Sequence, residues 1–193
     1  MRAMKKHEEL PIVEGYEPQK KTISMLVANL LAIGMFVVIG AVLGIAFYSI
    51  HGSRELDSWN GMLLWFVLLM VLGIAVHELI HGITWLILTH NSFRHLSFGF
   101  LPGGVYCHID VPMPKRQYVI GALMPLLLLG IVPTILAFCI GSFLWLLLGI
   151  VFIVSAAGDI MIVWAIRKDP SDALVYDHPS EAGCYVYRKT AQS

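Results

Sequence analysis

Charge is scarce in this chain. Asp, Glu, Lys and Arg make up 13% of its 193 residues, about half the share found in ordinary soluble domains. That shortage, set against 58% hydrophobic residues, excludes a conventional solvated surface and reads as an integral membrane protein. Formal net charge is zero and no basic patch with interleaved aromatics is present, which excludes a nucleic-acid partner. Cysteine is equally sparse. Cys107, Cys139 and Cys184 share no C-x-x-C spacing, an odd and scattered set that excludes a disulfide framework and reads as free thiols. The first apolar run is not expected to be a signal peptide either: it is too long for such a hydrophobic region and no clear A-x-A site follows it, so it is expected to stay as an anchor.

What the chain has is long apolar runs. Four can be drawn, at 24–50, 61–88, 118–140 and 143–166, each near or above the roughly 20 residues that a helix needs to cross a bilayer. The last two are separated only by Gly141 and Ser142 and form a tight helical hairpin. Pro125 and Pro133 lie inside the third run, where their missing N–H groups are expected to kink it. Assigned alternately to the two sides, twelve Lys and Arg residues fall on one side and Arg54 alone on the other. The positive-inside rule then puts both termini and the second loop in the cytoplasm. Trp59, Trp145 and Tyr48 near one end of the spans, and Trp164 and Tyr118 near the other, suit an aromatic belt. The expected fold is an all-α, multi-pass membrane protein forming a single domain over 1–193. Segment 1–23, loop 89–117 and tail 167–193 are expected to be cytoplasmic.

Within the second run stands His77-Glu78-Leu79-Ile80-His81, an H-E-x-x-H sequence. On a helix, positions i and i+4 share a face, so both imidazoles can reach one Zn2+ ion while Glu78 is left to act as general base toward a water. Three such side chains are costly in lipid unless something compensates them. The bland alternative is a polar cluster that only hydrogen-bonds neighbouring helices. Counting inward at 1.5 Å per residue puts the two histidines roughly 24 and 30 Å along the second span, and Asp159 roughly 24 Å along the fourth. Apart from Glu78, Asp159 is the only carboxylate in any span. It is therefore the candidate third ligand, with a protonated or Arg167-paired carboxyl as the alternative. Ser155, Ala156, Ala157 and Gly158 beside it form a small-residue surface suited to close helix packing.

The second loop carries its own pattern. Val105, Cys107, Ile109 and Val111 alternate with Tyr106, His108 and Asp110, which predicts a strand. Residues 96–101 can pair with it across the Pro102-Gly103-Gly104 turn to make a short cytoplasmic β-hairpin. Such a hairpin either caps the helices or offers an edge to an extended peptide substrate. Gly103, Gly104, Tyr106 and His108 are its candidate substrate-strand or supporting residues. His90 and His95 read as surface histidines, and the Asp177-His178-Pro179 tail carries no assigned role.

Taken together, His77 to Gly82 in a span, the Pro-Gly-Gly loop, the short hairpin, Gly158-Asp159 and the Asp-His-Pro tail resemble a bacterial family of small membrane proteins described as putative zincin peptidases. The likeness covers nearly the whole chain. More distantly the chain resembles site-2 protease intramembrane metalloproteases, although Gly158 here precedes the aspartate, whereas there a glycine follows it. These resemblances imply a zinc-dependent endopeptidase of the bacterial cell membrane that cleaves a membrane-associated segment near the cytoplasmic face. A membrane metal or proton carrier, and an inactive zincin-like protein that binds a partner, are the alternatives.

Overall fold

Away from water, an apolar run satisfies its backbone polar groups most simply as a helix. The structure is a computed structural model that describes residues 10–52, 59–101, 104–178 and 181–190. Its long helices are α1 (Met25–His51) and α2 (Trp59–Thr89), followed by two interrupted runs. Each of the four runs is long and apolar enough to cross a membrane. Large side chains such as Leu30, Phe36, Val37, Leu64, Leu68 and Leu72 are exposed along α1 and α2, a surface suited to lipid contact. Among helices, α1 rests chiefly on the fourth run.

Both later runs are interrupted, the third where Pro125 and Pro133 predict a kink and the fourth where the sequence predicts a continuous span. The third divides into α3 (Lys115–Pro125), a π-helical turn (Leu126–Ile131) and α4 (Val132–Ile140). Pro133 has no N–H to donate, and the chain responds by widening: the Val132 N–H reaches the Leu127 carbonyl, five residues back. Thr134 Oγ1 donates to the Gly130 carbonyl at 2.8 Å. The fourth run divides into α5 (Phe143–Ser155) and α6 (Ala157–Ile166), with Ala156 at ψ 6° between them. Asp159 consequently lies in the first turn of a new helix, where the free N–H groups favour a carboxylate.

The all-α expectation is incomplete. The hairpin forms as β2 (Leu96–Leu101) against β3 (Gly104–Ile109), with Phe98 opposite Cys107 and Ser97 opposite His108. Beyond it a second, four-stranded antiparallel sheet joins β1 (Tyr16–Thr22), β4 (Met113–Pro114), β5 (Leu174–Asp177) and β6 (Gly183–Lys189) in the order β1-β6-β5-β4. The polar segment before α1 and the tail after α6 thus pair with each other, from Tyr16 opposite Lys189 to Thr22 opposite Gly183. Their pattern hid this. Only Tyr16 and Lys21 of β1 are even half-buried, so the strand rests on main-chain pairing rather than on an apolar face.

One core joins the sheet to the helices. Trp85 and Leu86 of α2, Tyr118 and Ala122 of α3, Ile109, Met113, Ile166, Val175 and Val186 are all buried in one cluster. Asp169, also buried, receives the Arg188 guanidinium, has Lys21 Nζ at 3.7 Å, and its carbonyl accepts from Lys115 Nζ at 2.6 Å. One residue therefore ties β1, β6 and the start of α3 together.

Candidate metal centre

Two helices bring three ligand-type side chains to one point. His77 and His81, one turn apart on α2, have ring centroids 4.9 Å apart. Asp159 of α6 meets both: Oδ2 lies 3.4 Å from His77 Nε2 and Oδ1 lies 3.5 Å from His81 Nε2. All three ligand atoms fall within 4.8 Å of one another. Two ligand atoms bound to a tetrahedral zinc at 2.0–2.1 Å stand about 3.4 Å apart, which is the separation seen between the aspartate and each histidine. Arg167, the alternative partner, instead lies over the Trp164 ring at 3.6 Å and donates to the Trp164 carbonyl at 2.6 Å.

The donor set fits zinc. Two imidazole nitrogens and one carboxylate are borderline-to-hard ligands, and three protein ligands leave the fourth position that catalytic zinc sites keep open. The three residues also line a cavity of about 540 Å³, walled by α1 through Ala28, Asn29 and Ala32 and by the tail through Asp177 and His178.

The two histidines are supported unequally. Nδ1 of His81 donates to the Gly121 carbonyl at 2.9 Å, which fixes the tautomer and turns Nε2 toward Asp159. That carbonyl is available for a reason written in the sequence. In a regular helix Gly121 O would accept from residue 125, and residue 125 is proline. Gly121 also lacks the Cβ that would collide with the Trp85 indole. Nδ1 of His77, by contrast, is buried with no hydrogen-bond partner among the described residues.

Glu78 lines the same cavity and is held from the hairpin. The Cys107 N–H donates to Glu78 Oε2 at 2.8 Å. The approach depends on Gly82, where an added Cβ would come within 2.9 Å of Cys107 Sγ and of Leu96 Cδ1. Burial, with help from the charges of Asp177 and Glu78, pushes the Cys107 thiol up to about 12. It therefore stays protonated, neither a thiolate ligand nor a nucleophile.

The remaining predicted residues separate. Tyr106 lines the cavity, and Gly104 begins β3 opposite Leu101. Gly103 lies outside the described residues. His108 is buried on the other face of β3 from Cys107, with Nδ1 3.2 Å from Asp177 Oδ2 and its ring edge-on to Tyr176. His90 is exposed, and His95 pairs with Asp110 at 2.7 Å. Tyr118 leaves the expected aromatic belt. It is 2% exposed, packed on Trp85, and its hydroxyl donates to Asp177 Oδ1 at 3.1 Å. Sequence reasoning missed Gly121, the Cys107 main chain and Asp177. A signal existed for the first, since a proline in a span frees the carbonyl four residues earlier.

Among known families, the one described as "Putative zincin peptidase" matches residues 70–174. That stretch holds α2, the hairpin, the interrupted third run and Asp159. A relative from Pyrococcus woesei, described as "Uncharacterized 24.7 kDa protein in gap 5'region", is 27% identical over 154 residues, covering 77% of this chain. The match spans 65% of that relative's length. No solved structure matches the chain.

Proposed function

Because the chain belongs to the Putative zincin peptidase family, we propose that it is a zinc-dependent endopeptidase that hydrolyses a membrane-associated protein segment near the cytoplasmic face. One observation carries this reading: His77, His81 and Asp159 converge from two apolar runs on the cavity that also holds Glu78. His77 Nε2, His81 Nε2 and an Asp159 oxygen would hold the ion. When bound, zinc supplies a Lewis acid that polarises the scissile carbonyl and lowers the pKa of water.

The chain's own residues do the rest. His81 is oriented by the Gly121 carbonyl, and Glu78 is held through Oε2 by the Cys107 N–H, leaving Oε1 to take a proton from the attacking water. As the C–N bond breaks, Glu78 hands that proton to the leaving amine. Among the described residues β3 is paired only by β2, so its other edge, apart from the Cys107 N–H that holds Glu78, can receive an extended peptide through main-chain bonds. A helical substrate would have to unwind first, because its carbonyls are already hydrogen-bonded. The excess of Lys and Arg at both termini and in the second loop supports a cytoplasmic placement of this end of the helices.

Purified protein in detergent or nanodiscs tests the reading. Glu78→Gln should retain zinc and lose cleavage of a reporter membrane peptide. Equal cleavage by Glu78→Gln and wild type would refute the scheme, as would zinc flux into proteoliposomes with no peptidase activity.

A further inference from the structure

We propose that Asp177, in the tail strand β5, is a positioning residue that orients both His81 and Glu78. The inference rests on the metal-centre reading above, and Asp177 lies three residues beyond the stretch matched by the family. Each of its carboxylate oxygens is engaged by one support of the site.

Oδ1 accepts from the Tyr118 hydroxyl at 3.1 Å. Tyr118 stacks on Trp85 with centroids 5.4 Å apart and planes 15° from parallel, and its carbonyl accepts from Trp85 Nε1 at 3.1 Å. Trp85 in turn stacks on His81 at 5.4 Å and 18°. The carboxylate thus fixes the far end of a three-ring stack whose near end is a metal-binding imidazole. Oδ2 takes the other support. His108 Nδ1 lies 3.2 Å from it, and His108 directly follows Cys107, the residue whose N–H holds Glu78. Asp177 itself is pinned by β6, where it sits opposite Cys184, and it lines the cavity.

A carboxylate only 13% exposed needs a reason to be retained, since an apolar residue would serve the sheet with less desolvation. The reason assigned here is geometric. The α3 support acts on the metal ligand and the β3 support acts on the base, and Asp177 joins them through its two carboxylate oxygens. The strand pairing of β1 with β6 and of β6 with β5 then links the terminal segments to the chemistry.

The test uses the full chain with Zn2+ and Co2+ as probes. Tyr118→Phe keeps the ring stack and removes only the bond to Oδ1. It should weaken zinc binding on the order of tenfold, the low end of what outer partners of metal ligands contribute, and shift the ligand-field spectrum of the cobalt-loaded protein. Asp177→Ala should do the same, and the double variant should be no worse than Asp177→Ala alone, because both changes break one path. His108→Gln should leave the cobalt spectrum in place and lower kcat with KM unchanged. If Asp177→Ala and Tyr118→Phe match wild type in zinc affinity and cobalt spectrum, whatever their thermal midpoints, Asp177 is a stability residue and the proposal fails. Failure of wild type itself to take up zinc would instead overturn the metal-centre reading.

Discussion

Two polar clusters stand in contrast. His77, His81, Glu78 and Asp159 lie within apolar runs, where each ionisable side chain demands an explanation. Asp177, His108, Tyr118, Asp169 and Arg188 lie at or around the four-stranded sheet, built from segments whose charge looks ordinary. Similar chemistry is conspicuous in the first setting and inconspicuous in the second. The desolvation cost of a charge makes it legible in a sequence, and a polar neighbourhood conceals it.

Removing the conspicuous cluster should have the largest effect. His77→Ala and Asp159→Ala should each abolish zinc binding, taking metal content of the purified protein from near one ion per chain to near none. Glu78→Gln should keep that content and lower the cleavage rate by roughly 100- to 10,000-fold, the range for a positioned general base. Pro125→Ala bridges the comparison. It returns an N–H that competes with His81 for the Gly121 carbonyl, and should raise the zinc dissociation constant about tenfold while the helix, if anything, gains stability. Chelator competition beside thermal melting would separate these effects.

Away from Asp177, the sheet should respond in stability rather than in metal affinity. Arg188→Ala leaves the buried Asp169 carboxylate short of its main partner. It should lower the unfolding free energy by about 2 kcal/mol, below the full cost of breaking a buried pair because Arg188 is half exposed. Zinc affinity in that variant should be unchanged, and a parallel loss would show that Asp169 and Arg188 also support the metal centre. The smallest effect is a pH dependence. Burial depresses His178 below its ordinary 6.5, against opposing pulls from Glu181 and Asp177 and a reinforcing one from Lys20. The unfolded chain therefore binds the extra proton first, so stability is full above 6.5 and declines as pH falls through 6.5. His178→Gln should flatten that part of the melting-versus-pH curve.

The same contrast explains how much could be read beforehand. The four apolar runs were legible from length, the hairpin from its alternation, and the meeting of Asp159 with His77 and His81 from equal depth along two spans that run in the same direction. The interruption of the third run was legible from Pro125 and Pro133, whereas the break at Ala156 was not, because Ala fits either side of a break equally well. The β1–β6 pairing escaped because it joins segments more than 150 residues apart through main-chain bonds, with little side-chain pattern to announce it. Tyr118 looked like a belt residue since its spacing says nothing of the Asp177 carboxylate waiting on another strand.

The most direct measurement is the position of a zinc anomalous scattering peak in crystals of the zinc-loaded protein. The account predicts one peak within about 2.2 Å of His77 Nε2, His81 Nε2 and an Asp159 oxygen, with Glu78 outside the ligand set. A peak that excludes Asp159, or that takes Glu78 as a ligand, would contradict it.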